Sequence, residues 1–231
     1  MNQIKTERKI IVTVLSGRFE KNGSKKWIIV RIALRRNSME KIRLYSAQTD
    51  VVVDKIINDG VCFSKEEYIK KKYQECSNIF LTAYKWYISE ARKIVPVPEG
   101  ASYPYWAFTQ TYSVDRSGFP NILVLDVPID EVVFFEVSDW NQVIRMEYLS
   151  DDKEEKDKFE NEMKRRGVSY TDIMLTSFYP LQKNKILSSW NALFKNDADM
   201  KAGKLPKEKN IQAGLWQIKK EWVKEIIKPF A

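Results

Sequence analysis

The chain has 231 residues, 44% of them hydrophobic, 13% aromatic and 30% charged, which supplies a packed core and excludes wholesale disorder. The best apolar run, Trp27 to Leu34, is broken by Arg31 far short of the roughly 18 residues of a membrane span. The net charge of +8 resides in residues 1 to 38, with ten Lys or Arg against two acids, whereas residues 39 to 231 carry 29 of each sign; a nucleic-acid reading therefore belongs to that extension and not to the main domain.

Taken in chain order, Ile10 to Leu15 is too short, and interrupted by Thr13, to read as the apolar stretch of a signal peptide. A cytoplasmic protein without membrane contact is expected. Residues 1 to 38 admit three readings. Ile10 to Leu15 and Trp27 to Leu34 pair as a hairpin around Asn22-Gly23; or the basic residues form a phosphate-contacting arm; or Met39 is the true start and what precedes it is upstream sequence. Residues 39 to 231 form a single α+β domain with a mixed or antiparallel sheet.

Ile42 to Ala47 reads as a strand, followed by a helix capped at Thr49 or Asp50, with Val52, Val53, Ile56 and Ile57 on one face and Gly60 as its stop. Ser64-Lys65-Glu66-Glu67 has the form of a capping box. It opens the longest helix, whose stripe runs Ile69, Tyr73, Cys76, Phe80, Ala83, Tyr87, Ala91, Ile94 up to the stop at Pro96 and Pro98. Tyr103 to Thr109, Asn121 to Val127 and Val132 to Val137 are β-rich runs. Ser138 or Asp139 then caps a helix carrying Trp140, Val143, Ile144 and Leu149.

Residues 151 to 166 form a solvated helix stopped by Gly167, with Glu154 and Lys158, and Glu160 and Lys164, at pairing distance. Ile186, Leu187, Trp190, Leu193 and Phe194 mark another amphipathic helix. A polar loop, Asn196 to Lys209, leads to a last strand, Ile211 to Ile218.

The chemistry is bounded by absences. There is no histidine, which removes His-based triads and His–metal sites. There is no phosphate-binding glycine motif. Cys62 and Cys76, 14 positions apart, read as two half-buried packing thiols, not as a redox pair. Asp126, Asp130, Glu131 and Glu136 read as solvating strand ends, and no metal site is expected. What remains is a set of aromatics beside amides. Flat faces and amide edges suit a nucleotide or a sugar, although most tryptophans in such a chain are core.

These residues fall in blocks that resemble the domain-of-unknown-function family 3841 over about residues 42 to 230. The blocks are Leu44-Tyr45-Ser46-Ala47-Gln48; Ala83-Tyr84-Lys85-Trp86; Pro98-Glu99-Gly100 with Tyr103-Pro104-Tyr105-Trp106-Ala107-Phe108; Val127-Pro128 through Asp139-Trp140; and Ile211-Gln212-Ala213 with Trp216 and Glu221-Trp222-Val223. The resemblance implies kinship with bacterial and phage-related proteins and no particular activity.

The strand–helix–glycine opening and a final strand leading into Glu221-Trp222-Val223 look like the layout of the ADP-ribosyltransferases, which split NAD. That likeness implies a first-strand Arg or His and a late-strand Glu. Ser46 and Gln212 stand in those places, so an active transferase would take its acid from Glu221 or Glu225. Two functions follow. One is a nucleotide-binding module, with NAD as cofactor on the transferase-like reading, its pocket lined by Tyr45, Gln48, Tyr103, Trp106 and Gln212. The other is a non-enzymatic factor that binds a protein partner through exposed aromatics. Convergence of Gln48, Trp106 and Gln212 on one concavity distinguishes them.

Overall fold

A computed structural model describes residues 40–66, 77–118, 120–204 and 209–229. The basic extension of residues 1 to 38, the Met39 start, Glu67 of the capping box and the stripe residues Ile69, Tyr73 and Cys76 lie outside the described residues.

The fold is α+β, built on a six-stranded sheet of order β5-β6-β3-β1-β4-β8 in which every neighbouring pair is antiparallel. Its strands are β1 (Lys41–Gln48), β3 (Tyr105–Phe108), β4 (Asn121–Pro128), β5 (Val133–Glu136), β6 (Ile211–Leu215) and β8 (Val223–Ile227). A separate ribbon pairs β2 (Val61–Phe63) with β7 (Gln217–Lys219). The predicted last strand is thus two strands in two sheets. Trp216 sits at the break, 3% exposed, and its indole N–H donates to the Val95 carbonyl at 2.9 Å, a partner 121 residues away that strand periodicity cannot reveal.

Alternation along the strands sends mostly aliphatic residues to one face. Leu44, Leu123, Leu125, Val127, Phe134, Ile211, Ala213 and Leu215 are buried there. They are covered by Val53 and Ile56 of α1 (Asp50–Asp59), by Cys62 and Ile218 of the ribbon, and by Trp222. Thr49 is the cap position of α1 without a side-chain bond, and Gly60 ends it at φ 81°, a left-handed conformation that glycine adopts without strain. Cys62 is fully buried, not half-buried as expected, and accepts from the Tyr105 hydroxyl at 3.0 Å.

The opposite face is covered by helices. Leu81, Ala83, Tyr84, Tyr87 and Ala91 of α2 (Ser77–Ile94) pack there, together with Trp140 and Val143 of α3 (Val137–Ile144). Behind them stand α4 (Lys153–Arg166), α5 (Tyr170–Leu175) and α6 (Pro180–Ser189), which continues as a 3-10 turn Trp190–Phe194. Although α4 is polar almost all round, Phe159 and Met163 are buried and seat it. Asp152 caps it, accepting from the Glu154 and Glu155 amides, and Gly167 stops it at φ 66°.

Two expectations are corrected here. The helix after β5 starts at Val137, with Glu136 in the cap position and no side-chain cap bond. Asp139 therefore lies inside the first turn, 6% exposed, with Lys195 Nζ 3.2 Å from its Oδ2. The predicted polar loop after residue 196 contains a short helix, α7 (Asp197–Lys201), because Asp197 has a structural task. Its carboxylate accepts the Phe134 amide at 2.9 Å and pairs with Lys201 at 2.8 Å. An outward N–H on edge strand β5 is thereby satisfied, which blunts an edge that could otherwise pair with another chain. The other edge strand, β8, carries exposed Lys224 and Glu225. No helix among the described residues is long and apolar enough to cross a membrane.

Candidate functional site

The helix-covered face divides into two regions. Over β5, β6 and β3 it is an aromatic cluster. Trp106 lies 5.4 Å from Tyr84, 5.1 Å from Tyr87, 5.7 Å from Phe135 and 5.1 Å from Trp140 between ring centroids. Its N–H donates to the Tyr84 hydroxyl at 2.6 Å. Tyr87 is 1% exposed, and burial holds its phenol well above the ordinary range. Gly214, opposite Trp106 on β6, leaves room for the Tyr87 hydroxyl; a Cβ there would lie 2.0 Å from that oxygen. The rings meet tilted or edge-on, and the Trp106 donor is satisfied within the protein.

Over β3, β1, β4 and β8 the side chains change character. Register places Phe135, Gln212, Phe108, Tyr45, Val124 and Glu225 in one continuous row across all six strands. Adjacent strands lie about 4.8 Å apart, so the row spans roughly 24 Å. Tyr45 and Phe108 are half-buried, Gln212 is 5% exposed and Glu225 is exposed. Two residues before Tyr45, and so on the same face, Arg43 stands opposite Asp126. Its Nε donates to Asp126 Oδ1 and its Nη2 to Oδ2 at 3.2 Å. The hydrogen bond from Arg43 holds the Asp126 carboxyl below its usual range, aided by Lys224 and Lys41.

The five residues singled out in the sequence are therefore distributed as follows. Tyr45 and Gln212 share the row, and Trp106 is beside it on the same face. Tyr103 is 4% exposed, 6.0 Å from Tyr84 and bridged to Ser64; burial, then a hydrogen bond with Glu66, pushes its phenol up to about 12. Gln48 is on the opposite face. Its Nε2 donates to Ser46 Oγ at 2.8 Å, and Ser46, fully buried, donates to the Trp106 carbonyl at 2.6 Å. Ser46 and Gln48 thus tie β1 to β3 and do not face the row. Of three depressions among the described residues, of about 610, 490 and 250 Å³, none is lined by Gln48, Trp106 or Gln212.

Phe108 and Arg43 went unremarked as site residues, and Asp126 read as a strand-end solvator. The signal that finds them is the two-residue alternation from Tyr45 and the register with β3 and β4, of which only the first is local. Among the described residues no group of three or more Cys, Asp or Glu could hold a metal ion. Glu136, expected to solvate a strand end, is 9% exposed and accepts from Asn196 Nδ2 at 2.8 Å and Lys209 Nζ at 2.6 Å.

An antiparallel six-stranded sheet with one aromatic, helix-covered face defines an α+β domain. The chain belongs to the family described as a domain of unknown function, DUF3841, which matches residues 43–224. No curated protein and no solved structure matches it.

Proposed function

We propose that the domain is a nucleotide-binding module, of NAD type, and that its site is the margin of the helix-covered face and not a pocket containing all five residues chosen from the sequence. The observation that carries this reading is the single row Gln212, Phe108, Tyr45, Val124 and Glu225, with Arg43 beside it. Two aromatic rings offer stacking surfaces, an amide reads the edge of the adenine base, a guanidinium meets phosphate, and a carboxylate at the far end of the row stands within reach of the second ribose. Arg43 is 52% exposed in its pair with Asp126, so exchanging that partner for a phosphate costs little. Trp106 and Tyr103 stiffen the floor. Gln48, on the other face, acts only through Ser46.

Of the two candidate acids, Glu225 stands in the row opposite Val124 whereas Glu221 lies in the 3-10 turn before β8, so Glu225 is the acid for turnover. In a transferase of this type the carboxylate stabilises the positive character that develops at the ribose carbon as the glycosidic bond breaks. A chain that binds without cleaving is the decayed form of the same module.

The test is the melting temperature of the full chain with and without NAD and ADP-ribose. A ligand at a hundred times its dissociation constant stabilises by about 2.7 kcal/mol, a rise of roughly 5 to 11 °C at this size. Tyr45→Ala and Gln212→Ala should abolish the rise, Gln48→Ala should retain it, and Glu225→Gln should retain binding while removing any NAD hydrolysis. No rise with either ligand overturns the reading.

A further inference from the structure

Strand β8 does not run in even register with its neighbour. Val223 pairs with Leu125 and Glu225 with Val124, so two steps of β8 are matched by one step of β4, and Lys224 is the extra residue. On either side of this bulge Val223 and Ile226 pack on the aliphatic face, while Lys224 and Glu225 are both exposed. A bulge turns successive side chains toward one side of the sheet, and bulges recur next to functional sites because they re-aim a side chain. The side concerned here is the one that holds the row.

Lys224 is thereby brought toward the Arg43–Asp126 pair. Arg43 and Asp126 stand opposite each other on β1 and β4, and β8 is the next strand beyond β4. Lys41, exposed and two residues before Arg43, shares their face. The Asp126 carboxyl is lowered chiefly by its bond from Arg43 and further by Lys224 and Lys41, and Arg43 is raised by that bond and further by Glu225. Arg43 and Lys224 thus flank one short carboxylate from strands about 10 Å apart, and both side chains are long enough to bind neighbouring groups above it. Lys41, Arg43 and Lys224 outnumber Asp126 and Glu225, so the spot favours an anion and already holds one carboxylate.

We propose that Lys224 and Arg43 form a diphosphate subsite, in which Asp126 is a built-in counter-ion that the ligand displaces from Arg43. Two phosphates joined through one oxygen call for two cations a short reach apart, whereas a guanidinium fork alone satisfies a monophosphate. The displaced pair is exposed, so little is lost when Arg43 changes partner. The diphosphate also brings two charges where Asp126 supplied one. For its natural ligand this inference rests on the nucleotide-binding reading above. Tyr45 lies in the row on β1 and Glu225 on β8, so a diphosphate held over Asp126 on β4 falls between the stacking end and the acid end. Lys224 is then the residue that selects a diphosphate ester over a monophosphate.

Isothermal titration calorimetry of the full chain at low ionic strength, where surface charges are little screened, tests it with inorganic pyrophosphate, inorganic phosphate, ADP-ribose and AMP. Pyrophosphate should bind more tightly than phosphate, and ADP-ribose more tightly than AMP. Lys224→Gln should weaken pyrophosphate and ADP-ribose about tenfold and leave AMP nearly unchanged, and Lys224→Arg should restore both. Asp126→Asn should tighten pyrophosphate by about two- to fivefold, because Arg43 is freed. Lys224 is exposed, so its variants should keep the ligand-free melting temperature. Pyrophosphate that binds no better than phosphate overturns the subsite. So does pyrophosphate binding that Lys224→Gln and Arg43→Gln both leave intact, which points instead to the ten Lys or Arg of residues 1 to 38. ADP-ribose binding that is indifferent to Lys224→Gln overturns the subsite and leaves the nucleotide reading standing. Pyrophosphate binding through Lys224 and Arg43 without any ADP-ribose binding upholds the subsite and overturns the nucleotide reading.

Discussion

The two faces of the central sheet solve the same burial problem with different side chains. One face is aliphatic: Leu44, Leu123, Leu125, Val127, Ala213 and Leu215 are each 0% exposed, and the cover is a short helix and a ribbon. The other is aromatic where α2 and α3 lie on it and mixed in character beyond them, with Arg43, Tyr45, Asp126 and Glu225 on β1, β4 and β8. Aliphatic packing is non-directional and depends on volume. Indoles and phenols packed tilted or edge-on add directional bonds, such as Trp106 to Tyr84 and Trp190 to the Glu147 carbonyl at 2.7 Å. The first face gives stability; the second trades part of it for polar groups set at fixed positions.

Substitutions can break that contrast in order of effect. Leu125→Ala on the aliphatic face should cost about 2–5 kcal/mol, lowering the melting temperature by roughly 4 to 20 °C with no change in ligand response. Gly214→Ala should cost about 1–3 kcal/mol, because the new methyl meets the Tyr87 hydroxyl, whose ring is itself packed. Paired with Tyr87→Phe, it should recover part of that loss in the same melting experiment, since the nearest atom is then gone.

Trp106→Phe should cost about 1–3 kcal/mol, by removing a donor that satisfies Tyr84 and shrinking a packed ring. An equal loss without any change in near-ultraviolet dichroism would count against the aromatic cluster as a fixed unit.

Titration sharpens the contrast further. Tyr103 and Tyr170 ionise near 12 in the folded chain against 10.0 for a free phenol, chiefly through burial. The unfolded chain gives up those protons first. Their contribution is therefore complete below pH 10 and is lost as pH rises toward about 12. Urea midpoints should fall across that window, and Tyr103→Phe should flatten the fall. The smallest effect is at the margin. Asp126, lowered by Arg43, stabilises above the ordinary carboxylate range and loses that contribution as pH drops through its depressed value. Asp126→Asn should therefore remove a shallow acid-side slope from the same midpoints and little else, since the pair is exposed.

Much of the chain was legible from local pattern. The strand at residues 41 to 48, the stops at Gly60 and Gly167, the proline end of α2 and the two strands on either side of Pro128 all follow from periodicities and caps spanning a few residues. The placement of Tyr45, Trp106 and Gln212 in strands follows the same local pattern. Those features are encoded locally because backbone sterics and side-chain period act over one or two turns.

What sequence left open depended on partners far along the chain. Trp216 breaks a strand to reach Val95, Asp197 forms a helix to serve Phe134 across 63 positions, and Gln48 turns away from Gln212 because β1 alternates while β3 and β6 register against it. By itself the sequence determined the α+β class, most elements and the candidate residue types. Only the tertiary structure decided which of them share a face, because register in the central sheet is fixed by pairing between residues up to 110 positions apart, as from Tyr105 to Leu215, and a one-residue shift inverts every side chain.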